Sequence, residues 1–279
     1  MRIKSFPVFA LIRASHFQPT IAVTAVTTAL AVSVGRGAGA WWVMLAVLSG
    51  QLSVGWSNDY LDRERDAQSQ RIDKPIVAQQ ITASLVGVCA VVAVSVCIPF
   101  SMFSGWRAGA VHLVAVFLAW VYNMKLKSTI ASAVPYLVAF GLLPAFVTLG
   151  LTGHPWPLPW AMAAASLLGL GAHFVNVLPD LEADRATGVN GLPHRLGFLT
   201  SLVLGAIFIA TSTVVVAMFA IESTSRFRIA LLVVAVSNAI VIYITGLTGR
   251  HRAAWSLTLC LAGLSVIALV ANGGSFVNG

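Results

Sequence analysis

The sequence predicts an all-α integral membrane protein, with nine transmembrane helices forming two four-helix halves around a central cavity and the ninth helix extra. Three observations carry this prediction. First, 58% of the 279 residues are hydrophobic and only 9% are charged, with a mean hydropathy of +0.88. A soluble domain carries about 25% charged residues, so a soluble globular protein is excluded, as are a disordered tail and a disulfide-rich secreted module. Second, apolar windows long enough to cross a bilayer recur from about residue 17 to residue 271 without a long polar linker, so residues 1–279 read as one membrane domain. Third, eight of the nine acids fall in two short windows, 59–73 and 180–184, one after the second predicted helix and one after the sixth.

A spanning helix needs about 20 predominantly apolar residues. In order, the predicted helices occupy 17–35, 39–57, 80–101, 106–123, 129–150, 158–178, 199–220, 227–247 and 253–271. The first follows a basic start (Met1, Arg2, Lys4) and is read as retained, because so many further spans follow it. Pro135, Pro144, Gly169 and Gly171 lie inside predicted spans, which membrane helices tolerate. The small residues of Ala161–Ser166 and Gly169–Gly171 predict close helix–helix approach. Cys89, Cys97 and Cys260 sit in apolar runs without metal-ligand spacing and read as small packing residues.

Loop charges set the orientation. The N-terminus and the loops after helices 2, 4, 6 and 8 hold 13 of the 17 Lys and Arg, while the other loops hold Arg36, Arg107, Arg226 and Arg228. The positive-inside rule makes the first set cytoplasmic, so both acidic windows face the cytoplasm. Orientation thus accounts for the net charge of +8, and no nucleic-acid partner is expected.

The first acidic window reads Asn58-Asp59-Tyr-Leu-Asp62-Arg-Glu-Arg-Asp66, then Arg71 and Asp73-Lys74-Pro75. If the helix continues past residue 58, Asn58, Asp62 and Asp66 share one face. In the second window Asn176, Asp180 and Asp184 are likewise four apart. Crowded carboxylates repel, and a divalent cation relieves that repulsion. Mg²⁺ takes hard oxygen ligands, typically one or two carboxylates plus substrate phosphates. Two such motifs are therefore suited to two Mg²⁺ ions, or one cluster, around a diphosphate. Arg71, Lys74, Lys125, Lys127, Arg185 and Arg195 supply nearby cations. Glu64 and Glu182 lie off these faces and read as solvated, and Glu222 as a loop charge across the membrane. His194, beside the second motif, is a candidate diphosphate or acceptor contact, whereas His173 reads as an interior histidine. Tyr136, Phe140, Phe174 and Trp56 are candidate aromatic walls for a cationic intermediate.

Asn58-Asp59-x-x-Asp62-x-x-x-Asp66 and Asp180-x-x-x-Asp184 resemble the two aspartate-rich motifs of the UbiA superfamily of intramembrane prenyltransferases. Arg71-x-Asp-Lys-Pro-Ile, Gly188, Leu192-Pro193, Leu196-Gly197 and the Tyr122…Lys127 connection also match that pattern. The resemblance implies Mg²⁺-dependent transfer of a prenyl group from an isoprenyl diphosphate to a lipophilic, aromatic or other, acceptor in the cell membrane. It assigns Asn58, Asp59, Asp62 and Asp66 to the first metal and diphosphate site, and Asp180 and Asp184 to the second. It gives Arg71 and Lys74 to the diphosphate, and matches Tyr122 and Lys127 to the family's tyrosine and lysine between helices 4 and 5. A UbiA-type terpene cyclase acting on the same substrate class is the alternative. The chain departs from many members in having Arg13-Ala14 for Arg-Pro, Asn190-Gly191 for Lys and Thr, and a Tyr-to-Lys interval of five (or three, to Lys125) where some members have four.

Overall fold

A computed structural model of the chain describes residues 7–219, 224–248 and 250–277. Arg2, Lys4 and Glu222 lie outside these residues. Every regular element among the described residues is helical. A short α1 (Pro7–Ala14) leads into α2 (Phe17–Ser33), α3 (Gly39–Gln68), α4 (Ala83–Met102) and α5 (Trp106–Met124). Two 3₁₀ turns, Leu126–Ser128 and Ile130–Ser132, connect α5 to α6 (Ala133–Thr148), which is followed by α7 (Pro159–Val177). The 3₁₀ turn Leu178–Asp180 then precedes the short helices α8 (Leu181–Ala186) and α9 (Leu192–Leu196). Finally α10 (Phe198–Phe219), α11 (Ser225–Leu247) and α12 (His251–Ala271) end in the 3₁₀ turn Gly273–Phe276.

Each predicted window coincides with one of the long helices. Among the described residues, six stretches are long and apolar enough to cross a membrane: Ala83–Met102, Trp106–Met124, Ile130–Thr148, Pro159–Ala186, Phe198–Phe219 and Arg228–Thr245. The windows at 17–35, 39–57 and 253–271 fall on α2, α3 and α12, which do not meet that standard. Helix α2 has 17 residues, and within the described residues the apolar stretch of α12 spans Ser256–Ala271. The apolar part of α3 is diluted by Ser49, Gly50, Gln51 and Ser53.

Burial is organised as it is in lipid. On α4, Val86, Ala90, Ala93 and Cys97 face inward while Leu85, Val88, Val92 and Val96 are exposed. Helices adjacent in sequence pack against one another, and α12 returns to α2 and α7, closing the arrangement. The predicted close approaches occur, since a Cβ at Gly169 would collide with Phe140 and one at Gly171 with Ile209. These contacts bring α7 against α6 and α10. The protein is an integral membrane protein by its apolar, outward-facing helices.

Candidate active site

Helix α3 has 30 residues, a length of about 45 Å at 1.5 Å per residue. That exceeds a hydrocarbon core of roughly 30 Å, so its last turns project beyond the apolar layer. No Gly or Pro interrupts it between Trp56 and Gln68. Asn58, Asp62 and Asp66 therefore stay on one face, and all three line a polar cavity of about 120 Å³. Asp180 and Asp184 line it from the opposite side, with His16, Arg65, Arg71, Lys74, Tyr122, Lys127 and His194 between. The cavity lies where α3, α5 and α7 end.

The carboxylates are individually engaged. Asp62 accepts from Arg65 at 2.6 Å through Oδ2 and from Lys127 through Oδ1. Asp59, 2% exposed, turns away from the lining toward the α1–α2 junction. There its Oδ1 meets Lys74 at 2.6 Å and His16 at 3.3 Å, while Oδ2 is buried without a hydrogen-bond partner. Asp66 accepts no hydrogen bond from a described side chain. Burial pushes its carboxyl above the usual range, opposed by the Lys74 charge and reinforced by Asp62. Burial likewise draws the Lys127 ammonium below its ordinary value, with Asp62 acting in the opposite sense.

Arg71 joins the two motifs. Its guanidinium bonds Asp180 at 3.2 Å and forks onto Asp73 at 3.0 and 3.2 Å. The Asp73 hydrogen bond raises the Arg71 pKa further, and Arg71 in turn holds Asp73 below the usual carboxylate range. The loop that carries Arg71 and Lys74 is tied down by Arg13, which donates to the Asp73 carbonyl at 2.5 Å and to Gln80 at 3.3 Å.

The second motif differs from the first in backbone. Helix α7 ends at Val177, and Pro179 sits in the 3₁₀ turn before α8. Proline lacks an N–H and disrupts a continuous helix, so the Asn176, Asp180, Asp184 ladder is broken at its first rung. Asp180 and Asp184 reach the cavity, whereas Asn176 lies outside its lining. Asp184 pairs with His194 Nε2 at 3.2 Å. Arg195 is exposed and donates to the Asn190 carbonyl at 2.9 Å, away from the lining. Tyr122 lines the cavity and stands edge-on to Tyr136 at 5.3 Å, which stacks on Phe140 at 6.2 Å. Trp56 instead donates to the Leu11 carbonyl at 2.9 Å, and Phe174 is core packing against Phe208 at 5.7 Å. None of the four predicted wall residues, Trp56, Tyr136, Phe140 and Phe174, lines the cavity itself; Tyr136 reaches it only through Tyr122.

His16, Arg65 and Asn123 were not singled out by the sequence. His16 occupies a left-handed position, φ 53°, between α1 and α2, and meets Asp59 only through the fold. Arg65 had a local signal, lying three residues from Asp62 on the same helix.

All the candidate cation ligands are oxygens, and one carboxylate oxygen of Asp59 is orphaned. Among the described residues, no three His, Cys, Asp or Glu side chains stand close enough to share one ion. Arg and Lys side chains occupy Asp62 and Asp180 from opposite sides of the cavity. The donor set nonetheless fits Mg²⁺, which is commonly held by one or two carboxylates, the remaining positions being water and phosphate.

Apolar helices surrounding a cavity of opposed carboxylates and cations define an integral membrane protein with a built site for a charged group. Residues 19–264 match the UbiA prenyltransferase family. The chain belongs to that family and is an enzyme of the prenyltransferase type. It is 26% identical over 245 residues to digeranylgeranylglyceryl phosphate synthase of Methanothermobacter thermautotrophicus, covering 85% of each chain. It is 31% identical over 183 residues to the bacteriochlorophyll synthase 33 kDa chain of Cereibacter sphaeroides, covering 60% of this chain and 59% of that one. Its fold is similar to that of a UbiA homologue from Archaeoglobus fulgidus bound to GPP and Mg²⁺, with a TM-score of 0.67 at 15% identity over 94% of this chain and 99% of that one. A UbiA homologue from Aeropyrum pernix gives a TM-score of 0.67 at 18% identity, over 88% of this chain and 98% of that one.

Proposed function

We propose that this protein transfers a prenyl group from an isoprenyl diphosphate to a lipophilic acceptor, with Mg²⁺, at the cytoplasmic face of the cell membrane. The single observation that carries the reading is the cavity itself, in which Asp62, Asp66, Asp180 and Asp184 face Arg65, Arg71, Lys74 and Lys127. Acids and cations gathered around one small space match a metal–diphosphate pair better than either charge alone. The Mg²⁺ and GPP held by the Archaeoglobus fulgidus homologue are consistent with this assignment. The chain would act as one membrane domain, with the nine long helices among the described residues read as nine crossings and most of its loop cations on the cytoplasmic side.

Asn58, Asp62, Asp66, Asp180 and Asp184 would hold the metal, with Asp59 behind them keeping Lys74 in place. Mg²⁺ held there would supply charge neutralisation for the departing diphosphate. Arg71, Lys74 and Lys127 would exchange their present carboxylate partners for diphosphate oxygens, Arg71 as a fork and the lysines as point charges. These preorganised donors stabilise the leaving group as the allylic C1–O bond breaks and its electron pair goes to the diphosphate. The acceptor nucleophile then bonds C1 and loses its proton. Tyr122 in the lining, with Tyr136 edge-on to it and Phe140 stacked on Tyr136, would offer an aromatic side to the allylic cation and help keep bulk water away from it. The prenyl tail extends among the apolar helices.

The test is mass spectrometry of products from membranes containing the protein, offered a matrix of prenyl diphosphates and lipophilic acceptors with Mg²⁺ or with EDTA. A prenylated acceptor formed only with Mg²⁺ supports the reading. A cyclic hydrocarbon formed without any acceptor would replace it with intramembrane cyclisation.

A further inference from the structure

We infer that Asn123 is a positioning residue that fixes which atom of the Asn58 carboxamide is presented to the cation site. The inference rests on the proposed metal role of the cavity and adds to it a residue from another helix. Asn123 is 4% exposed, one residue beyond the cavity-lining Tyr122 at the end of α5. Its Nδ2 donates to the Val54 carbonyl and to Ser57 Oγ, both at 2.9 Å.

The direction of the network follows from its anchor. A backbone carbonyl only accepts, so the Asn123 atom facing Val54 must be nitrogen. The Ser57 hydroxyl spends its own proton on the same Val54 carbonyl, at 2.9 Å, and is left to accept from Asn123. Both hydrogens of Asn123 Nδ2 are then used, and its Oδ1 is the atom turned to Asn58. Asn58 answers with Nδ2, at 3.3 Å. Its own Oδ1 is consequently the atom left for the cavity that Asn58 lines. A flipped Asn58 would oppose two oxygens across the α3–α5 contact and offer the cavity an NH₂ group, which cannot ligate a cation. Amide orientation is otherwise weakly determined by shape, because O and N are nearly the same size. Here it is set by a carbonyl one helical turn before Asn58.

The experiment measures Mn²⁺ binding by electron paramagnetic resonance, with inorganic diphosphate present, on the detergent-solubilised full chain. Four proteins are compared: wild type, Asn123→Ala, Asn58→Asp and the double variant. In Asn58→Asp both terminal atoms are oxygens, so orientation ceases to matter. Asn123→Ala is expected to weaken Mn²⁺ binding about tenfold in the wild-type background, the lower end of what loss of an outer-sphere partner costs. In the Asn58→Asp background the same change is expected to alter binding less than about twofold. An equal penalty in both backgrounds, or none in either, would overturn the inference while leaving the proposed function standing. Failure of the wild type to bind Mn²⁺ would overturn the proposed metal site itself, and the role of Asn123 with it.

Discussion

Asp66 stands apart from its neighbours because it is the carboxylate lining α3's side of the cavity that no described side chain hydrogen-bonds. Burial holds its pKa above the usual carboxylate value, and the sign of the consequence is fixed. Without metal, the stability associated with protonated Asp66 is full at low pH and is lost as pH rises through that raised pKa. With Mg²⁺ the order reverses, since the cation binds the ionised form and competes with the proton. The Asp66 contribution, read as the melting temperature of wild type minus that of Asp66→Asn, is expected to fall across this window for metal-free protein, because Asp59 and Asp73, held low, act alike in both proteins. Adding Mg²⁺ is expected to raise the wild type more than Asp66→Asn. By contrast Asp62, with a cation on each oxygen, already has the compensation that Asp66 lacks.

At the level of elements, the two acidic motifs show which parts of the site could be read from sequence. The first ladder was legible because an unbroken helix converts four-residue spacing into one face, and Asn58, Asp62 and Asp66 all reach the cavity. The second was legible only in part. Pro179 converts the end of α7 into a 3₁₀ turn, which rotates Asn176 out of line while Asp180 and Asp184 still arrive. His16 and Asn123 left no periodic trace, because each meets the first motif through contacts between helices distant in sequence. The glycine that permits one of these contacts offers a test. A Cβ at Gly55 would overlap the Ser15 carbonyl, immediately before His16. Gly55→Ala is expected to cost roughly 1–3 kcal/mol through overpacking, lowering the melting temperature by several degrees. Because the displaced turn carries His16, prenyl transfer should fall together with stability.

At the scale of the molecule, the described helices pack into one array that gathers the opposed acids and cations of the two motifs at one end of α3, α5 and α7. The all-helical membrane architecture was legible from composition and from the recurrence of apolar windows. Which windows are apolar enough to cross was less so, because α3 combines Ser, Gly and Gln in its apolar part with an acidic end. Loop charge predicts an orientation, which can be measured directly. In a background with Cys89, Cys97 and Cys260 replaced, Gln68→Cys should react with an impermeant thiol reagent only from the cytoplasmic side. Thr152→Cys, in the loop after α6, should react only from the other side, and the opposite pattern would invert the topology. The central claim, that the two acidic motifs jointly ionise an isoprenyl diphosphate, is tested most directly by Mg²⁺-dependent diphosphate release from an allylic prenyl diphosphate. Wild-type protein should release diphosphate with Mg²⁺ and not with EDTA, and folded Asp62→Ala and Asp180→Ala should each lose at least about a hundredfold in rate, equivalent to roughly 2.7 kcal/mol of barrier. Undiminished release by either variant, or release by the wild type in EDTA, would contradict the account.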